Sequence, residues 1–464
     1  MIWITTDHMR YDCIGANGNQ SIHTPNLDFL AENGVSFDNC FAQNPLCMPS
    51  RASFMTGLYP QQTGVTHNGH CLPPDFEPVV AKCFKAGDFL TTQIGKLHFQ
   101  PHEDNDLMPC GRYNYGFDKF YAAEEPGPYE DAYMTWLRTE YPELVDTFRI
   151  PRSTSPKRNS SESINILDAP WQASFSGWVA EQTKRHINGF GGNKNADRDF
   201  IHMGFYAPHP PLNPTEEMFA AYKNSAVKIP RFQKTDEAAD KPPPLAAILS
   251  EHNKRSHEHY LNYRKHFYAM VTGVDMAVGG VIDQLRKRKE LDETLIIFSS
   301  DHGDMCGDHS SSSKHHSFYD EIMHLPLIIF WPDVLGCRPR RITGLVEMVD
   351  LLPTILGLCG IIVPRVMSGN DYSSNILNGS DIEGRDTVMA FHYPNTLMLR
   401  SQAYKYIRYQ ENEEVLYDLE IDPGETVNQA ENQEYSEILH MMRNKSVTRL
   451  AEASRSRLPR HYEF

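Results

Sequence analysis

Five short runs decide most of what this chain can become: IWITT directly before Asp7, FLTTQIGK at 89–96, FIHMGFYA at 200–207, TLIIFSS at 294–300 and LPLIIFW at 325–331. They are apolar on both faces, so strands built from them must be covered on both sides, as in a parallel sheet sandwiched between helices. Helical patterns stand between the runs. NLDFLAENG (26–34), PVVAKCFKAG (78–87) and GWVAEQTKRHING (177–189) each close on a glycine, which suits a C-terminal cap. The longest pattern runs from about Tyr260 to Lys289, with apolar residues at helical spacing and a basic last turn. It feeds directly into the run at 294, and helix followed by strand is half of an α/β crossover.

After about residue 383 the pattern changes to TVMAFHY, LMLRS, YKYIRYQ and EVLYDLE, short alternating strands separated by turns, with a final helix near 433–452. The division expected is a main domain over 1–382 and a C-terminal subdomain over 383–464, well within what 464 residues at 40% hydrophobic content can bury. The polar stretches at 154–163 and 234–244 read as surface insertions. LVEMVDLLPTILGLCGIIV (345–363) is interrupted by Glu347, Asp350 and Pro353, so it reads as an amphipathic core helix and not as a membrane span. The opening MIWITTDHMRYD has no signal-peptide pattern, which points to the cytoplasm for the chain as it stands, or to the periplasm or exterior if a leader has been removed.

Forty-four Lys and Arg against sixty Asp and Glu give a net charge of -16, which opposes nucleic-acid and anionic-membrane partners. An anionic substrate would need a local basic pocket. The nine cysteines are scattered without paired spacing and read as mostly reduced thiols.

Two carboxylates stand directly after strand-like runs: Asp7 after IWITT and Asp301 after TLIIFSS. Ligands of open parallel sheets collect at the carboxyl ends of strands, so the two can converge. Each is followed by a histidine, His8 and His302, and carboxylate with imidazole is a donor set for a divalent cation. The plainer role for each Asp is a turn or helix cap.

The stretch NPLCMPSRASFMTGLYP places Cys47 at or just before the N-terminus of a short helix, since Pro49 suits the first turn and Gly57 can close it. There the helix dipole favours anions and depresses a thiol pKa. A cysteine-dependent phosphatase is excluded because Arg51 follows Cys47 too closely to close that loop. The side chain could still be a buried thiol, a metal ligand or the precursor of a nucleophile.

CMPSRASFMTG resembles the signature of the formylglycine-dependent sulfatases of the alkaline phosphatase superfamily: Cys, any residue, Pro, Ser, Arg, then Thr-Gly five residues further on. Cys47, Pro49, Ser50, Arg51, Thr56 and Gly57 match. GKLHF (95–99), APHPPL (207–212), SSDHGDMCGDH (299–309), KHHSFYDEIMHLPLIIF (314–330) and LYDLEIDPGE (416–425) are similar to family blocks in the same order, so the resemblance covers most of the chain. It implies an α/β, alkaline-phosphatase-like sulfatase fold: a large mixed, mostly parallel sheet flanked by helices, plus a small C-terminal antiparallel sheet with a helix. It also implies that a maturation enzyme oxidises Cys47 to formylglycine, whose hydrate offers one hydroxyl to attack sulfur and a second to expel sulfate. The metal would be held by Asp7, Asp301, His302 and the oxygen of modified Cys47, with calcium first and manganese or magnesium next. Arg51 would hold the hydrate, Lys96 and His98 would flank it with His98 as base for elimination, and His209 and Lys314 would bind sulfate and assist the leaving oxygen.

The match departs from many sulfatases at His8, where a second aspartate is usual, and at His302, where asparagine is usual. Both departures are similar to phosphonate monoester hydrolases and choline-sulfatase-like members, so phosphonate or phosphodiester hydrolysis is the alternative activity, and His8 is an open fifth ligand. The run DHGDMCGDHSSSSKHH offers His302, Cys306, His309, His315 and His316 to zinc, but without regular ligand spacing. The expected substrate is a sulfated carbohydrate, with Asn68 and His392 as contacts near the pocket mouth.

Overall fold

The strand Ile2–Thr6 sends its side chains alternately into two cores, Trp3 to one side and Ile2 and Ile4 to the other, and no residue of it is exposed. That alternation between two buried faces is the arrangement its composition requires. The computed structural model describes residues 1–101, 113–126, 130–149, 164–189, 198–231, 246, 255–314, 317–392, 395–410 and 413–454. Both polar insertions, together with Cys110, His315 and His316, lie outside the described residues.

In chain order the strands are β1 (Ile2–Thr6), β2 (Val35–Phe37), β3 (Cys40–Phe41), β4 (Leu90–Gly95), β5 (Lys119–Ala122), β6 (Asp199–Gly204), β7 (Ile296–Ser300), β8 (His324–Leu325), β9 (Leu327–Phe330), β10 (Arg340–Ile342), β11 (Val346–Glu347), β12 (Val388–His392), β13 (Thr396–Arg400), β14 (Tyr404–Arg408) and β15 (Glu414–Asp418). The main sheet has eight strands in the order β10-β2-β9-β7-β1-β6-β4-β5. From β7 to β5 every pairing is parallel, whereas β9 runs antiparallel to both β7 and β2. LPLIIFW is therefore the run that makes the sheet mixed. A run apolar on both faces reports burial, and strand direction leaves no mark on it.

One face of the sheet carries α1 (Pro25–Glu32), α3 (Phe175–Ile187) and the long α4 (His257–Arg288), whose buried faces share a core with Ile4, Ile94, Ile201 and Phe298. The other face packs against α2 (Cys47–Phe54) and α5 (Leu351–Leu358), around Trp3, Phe200 and Ile297. Of the segment 345–363 expected to be one amphipathic core helix, only Leu351–Leu358 is α-helical, Val346–Glu347 being β11 and Met348–Asp350 a 3-10 turn, and among the described residues no helix is long and apolar enough to cross a membrane. Lys289 closes α4 in the left-handed conformation, and Gly189 follows α3 at φ 82°. Gly34 and Gly87 differ from expectation. Asn33 and Ala86 cap those helices, and a Cβ would stand 2.6 Å from the Ile329 carbonyl at Gly34 and 2.6 Å from Ile361 at Gly87. Both glycines admit a close neighbour.

Strands β12 to β15 form an antiparallel meander. Its alternating residues again serve two partners: Met389, Leu399, Tyr406 and Leu416 meet α6 (Ser436–Ala453), while Ala390, Met398, Ile407 and Tyr417 join the main core. Lys405 in β14 reaches Asp320 Oδ1 at 2.5 Å and Glu425 Oε1 at 2.6 Å, and Arg400 in β13 reaches Asp320 Oδ2 at 3.1 Å. These buried pairs tie the meander to the segment that follows Lys314.

The site is set by a tight contact between β4 and β6. Gly95, at φ 89°, faces Gly204, and a Cβ on Gly95 would stand 2.0 Å from the Gly204 carbonyl, just where the chain delivers Lys96. Gly95→Ala should therefore cost about 3 kcal/mol or more through overpacking and left-handed strain together. Denaturant melts should show a lowered midpoint, and an unchanged midpoint would refute the packing account.

Candidate active site

The carboxyl ends of β7, β1, β6 and β4 lie side by side. Strand β1 delivers Asp7 and His8, β7 delivers Asp301 and His302, β4 delivers Lys96 and His98, and β6 leads through a loop with cis peptides at Ala207–Pro208 and Pro210–Pro211 to His209. Convergence at the ends of adjacent parallel strands is where such sheets bind ligands.

Cys47 is the first residue of α2, after an extended Leu46. The exposed amides of that helix end are met from two sides: Asn44 Oδ1 accepts from the Leu46 amide at 2.9 Å and Asn68 Oδ1 from the Met48 amide at 3.1 Å. Asn68, expected to touch substrate, thus spends its side-chain oxygen on holding the helix end that carries Cys47. Cys47 Sγ lies 2.8 Å from Lys314 Nζ, 3.2 Å from His302 Nε2 and 3.5 Å from Asp7 Oδ1.

Arg51, one turn along α2 and fully buried, donates from Nε to Asp301 Oδ2 at 2.7 Å and from its terminal nitrogens to the carbonyls of Thr6 and Lys96. It also lies 3.6 Å from Asp7 Oδ2. These bonds direct Arg51 toward the carboxylates and strand ends, within electrostatic reach of Cys47. Lys96 Nζ pairs with Asp7 Oδ2 at 2.6 Å. Burial works to raise the Asp7 carboxyl, but Lys96 first and Arg51 with it outweigh burial and hold the group well below the ordinary carboxylate value.

Hydrogen bonds fix the tautomers of three histidines. His8 Nδ1 lies 2.8 Å from Asp304 Oδ2, and a carboxylate can only accept, so the proton is on Nδ1. His302 Nδ1 faces the Gly303 carbonyl at 2.9 Å and His209 Nδ1 faces the Pro210 carbonyl at 2.5 Å, with the same consequence. Burial, with Lys314 adding to it, pulls all three imidazoles below the ordinary histidine value against the opposing carboxylates, Asp301 foremost at His302, and keeps them neutral. The rings of His209 and His302 stand 4.3 and 4.5 Å from that of His8.

A divalent cation fits this donor set. Asp7, His8, Cys47 and His302 bring one ligand atom each within 4.8 Å of one another, all buried. His8 Nε2 makes no hydrogen bond and lies 3.7 Å from Asp7 Oδ1, while His302 Nε2 lies 3.8 Å from the same oxygen. Neutral imidazoles with bare Nε2 atoms are in the ligating form, and the Asp304–His8 pair is the usual outer partner of a metal-bound histidine. His8, left open by the sequence, is inside the cluster. Asp301 flanks it: Oδ1 is 3.9 Å from His302 Nε2 and accepts from the His8 and His302 amides, and Oδ2 goes to Arg51.

His98 is buried at φ 60° beyond Lys96, its amide donating to Glu124 Oε1 at 3.1 Å. His392 ends β12 with its ring 5.9 Å from that of His67, and lines a cavity of about 540 Å³ together with Asn44, Phe391, Arg408 and Tyr409. Cys306 and His309 fall outside the four-residue cluster. Sequence reasoning passed over Asp304, although its place three residues after Asp301 in DHGD was a visible signal, and Tyr206, whose ring lies 5.4 Å beneath Lys96 Nζ.

The family description "Sulfatase" matches residues 1–361, and "N-sulphoglucosamine sulphohydrolase, C-terminal" matches residues 307–452. The chain is 26% identical to an arylsulfatase of Clostridium perfringens, over 97% of this chain and 94% of that one. It is 26% identical to a delta 4,5-hexuronate-2-O-sulfatase of Bacteroides thetaiotaomicron, over 94% of this chain and 85% of the relative. Among solved structures, the phosphonate monoester hydrolase of Agrobacterium radiobacter superposes with a TM-score of 0.83 at 24% identity, covering 97% of this chain and 95% of that one.

In the metal-free, unmodified protein, burial first and Asp7 second push the Cys47 thiol up to about 11. Despite its place at a helix N-terminus, it should remain a thiol at neutral pH. Timed alkylation at pH 7.5 followed by peptide mass spectrometry should label the exposed Cys71 and Cys337 first; Cys47 reacting ahead of them would contradict this.

Proposed function

The chain belongs to the sulfatase family and is a sulfuric ester hydrolase, and we propose that it cleaves the sulfate ester of a saccharide through a formylglycine made from Cys47 by a maturation enzyme. The observation that carries this reading is the placement of Cys47 Sγ at a helix N-terminus between Lys314 Nζ at 2.8 Å and His302 Nε2 at 3.2 Å. A nucleophile there faces a cation on one side and metal ligands on the other. The saccharide substrate rests on the hexuronate-2-O-sulfatase relative. The phosphonate monoester hydrolase, at 24% identity, supports the fold and no more.

The family's divalent ion and formylglycine together supply an activated oxygen nucleophile that can release sulfate by reverting to the aldehyde. Asp7, His8 and His302, with Asp301 beside them, are the residues that would hold the ion. Two imidazole nitrogens in that set favour Mn2+ over the all-oxygen preference of Ca2+, which reverses the order implied by the sequence resemblance. Arg51 and Lys96 fix Asp301 and Asp7 and so orient the ligands. Lys314 is the cation closest to the reacting atom and would neutralise sulfate oxygen and protonate the leaving alcohol. His209, braced against His8, would line the same anion site, and His98 would take the proton during sulfate release.

Protein co-produced with a maturation enzyme should carry formylglycine at position 47 and turn over an aryl sulfate much faster than phenyl phosphonate. Cys47→Ala should lower kcat/KM by on the order of 10^4-fold or more, as nucleophile removals do, and Cys47→Ser should give one turnover and stop. Full activity with unmodified Cys47, or a faster phosphonate rate, would overturn the reading. Treatment with a chelator should abolish turnover, and Mn2+ should restore it more fully than Ca2+ or Mg2+; activity that survives chelation would exclude the metal role assigned to Asp7, His8 and His302.

A further inference from the structure

Asp304 is buried completely and lies between the two halves of the pocket. Its Oδ2 accepts from His8 Nδ1 at 2.8 Å and from the Tyr263 hydroxyl at 3.2 Å. Its Oδ1 accepts from the amides of Cys306 at 2.8 Å and Ser313 at 3.0 Å. Those two amides are the ends of one loop. Between them Cys306, His309, Ser310 and Ser313 all take positive φ, at 48°, 52°, 53° and 66°. Left-handed backbone is costly for residues with a side chain and persists only where the surroundings impose it. Asp304 Oδ1 draws both ends of the loop onto one oxygen, beside backbone bonds from the Met305 amide to the Ser313 carbonyl at 3.0 Å and from the Gly307 amide to the Ser311 carbonyl at 2.7 Å, and Arg10 and Arg264 each hold Asp308 at 2.7 Å. The residue after this closure is Lys314, with Nζ against Cys47.

We propose that Asp304 is a positioning residue that joins the metal half of the site to the anion half. Through Oδ2 it holds the proton of His8 on Nδ1, which leaves Nε2 as a lone pair facing the ligand cluster. Through Oδ1 it closes the 306–313 loop and so sets where Lys314 stands. One carboxylate thus registers the ion against the cation that meets the substrate. This rests on the metal-site reading above, and it adds a residue that neither contacts the ion nor approaches the substrate.

Two substitutions separate the two oxygens. Asp304→Asn keeps a carbonyl oxygen for the Cys306 and Ser313 amides but presents N–H to His8 Nδ1. The imidazole proton then moves to Nε2, and the ion loses a ligand. Asp304→Ala removes both functions. Mn2+ affinity, measured from the free-ion electron paramagnetic resonance signal, should fall about 10- to 100-fold in both variants, the usual cost of losing a ligand's outer partner. Deuterium exchange in peptides spanning 305–314 should match the wild type in Asp304→Asn and rise at least about tenfold in Asp304→Ala, as opening of a local unit would require. An Asp304→Asn affinity within twofold of wild type overturns the proposal, as does an Asp304→Ala loop whose exchange is unchanged. A purely structural Asp304 would speed exchange and leave Mn2+ affinity alone. Asp304→Asn is isosteric, so the affinity measurement decides even if Asp304→Ala does not fold. Neither readout uses turnover, so failure here is distinguishable from failure of the sulfatase reading.

Discussion

The buried pairing of Asp7 with Lys96, at 2.6 Å, is the interaction on which the rest of the site depends. Neither group has meaningful access to water, and an ionised carboxylate in that position is tolerated only with a cation against it. Arg51 supplies the second half of the arrangement by holding Asp301 Oδ2 at 2.7 Å while reaching the Thr6 and Lys96 carbonyls. One guanidinium therefore fixes the ends of β1, β4 and β7 relative to each other. Removing either cation would leave a buried carboxylate uncompensated, at a cost of about 3–5 kcal/mol. Such groups are poor value for stability alone, and their concentration at the strand ends marks the place where the fold serves chemistry.

That concentration also explains the backbone. His8, His98, Cys306, His309 and Ser310 all take positive φ, and the loop carrying His209 contains cis peptides on either side of it. Regular strands and helices deliver the chain to the pocket, and irregular backbone then aims the side chains. The C-terminal meander contributes at one remove: Lys405 and Arg400 hold Asp320 just past the Lys314 segment. The lobe is thus bound to the catalytic loop as well as to the main core.

Much of this was legible in the sequence because it was carried by local pattern. The runs at 89–96, 200–207, 294–300 and 325–331 became β4, β6, β7 and β9, and the signature around Cys47 located the pocket. Other features had no local signal. The antiparallel direction of β9 depends on a connection, and the roles of Gly34 and Gly87 depend on what stands opposite them in space. Asn68 was expected as a substrate contact because it lies in a polar segment near the mouth, and its partner, the Met48 amide, is a backbone group that carries no letter of its own. The motif gives Arg51 only its spacing from Cys47, so its bonds to Asp301, Thr6 and Lys96, 250 and 45 residues away, leave no mark in it.

The same geometry changes the electrostatic account suggested by composition. In a chain of net charge -16, an anionic substrate needs a local positive pocket, and Arg51, Lys96, His98, His209 and Lys314 together with a dication were its expected members. In the folded protein Arg51 and Lys96 are taken up by Asp301 and Asp7, Asp304 adds a further carboxylate against His8, and His8, His209 and His302 are held neutral. The protein's own charges are close to balanced there, and Lys314 is the cation left beside Cys47. A divalent ion held by Asp7, His8 and His302 would therefore supply the excess positive charge that an anionic ester meets there, with Arg51 and Lys96 arranging its ligands. Metal binding and substrate attraction are on this account one electrostatic event.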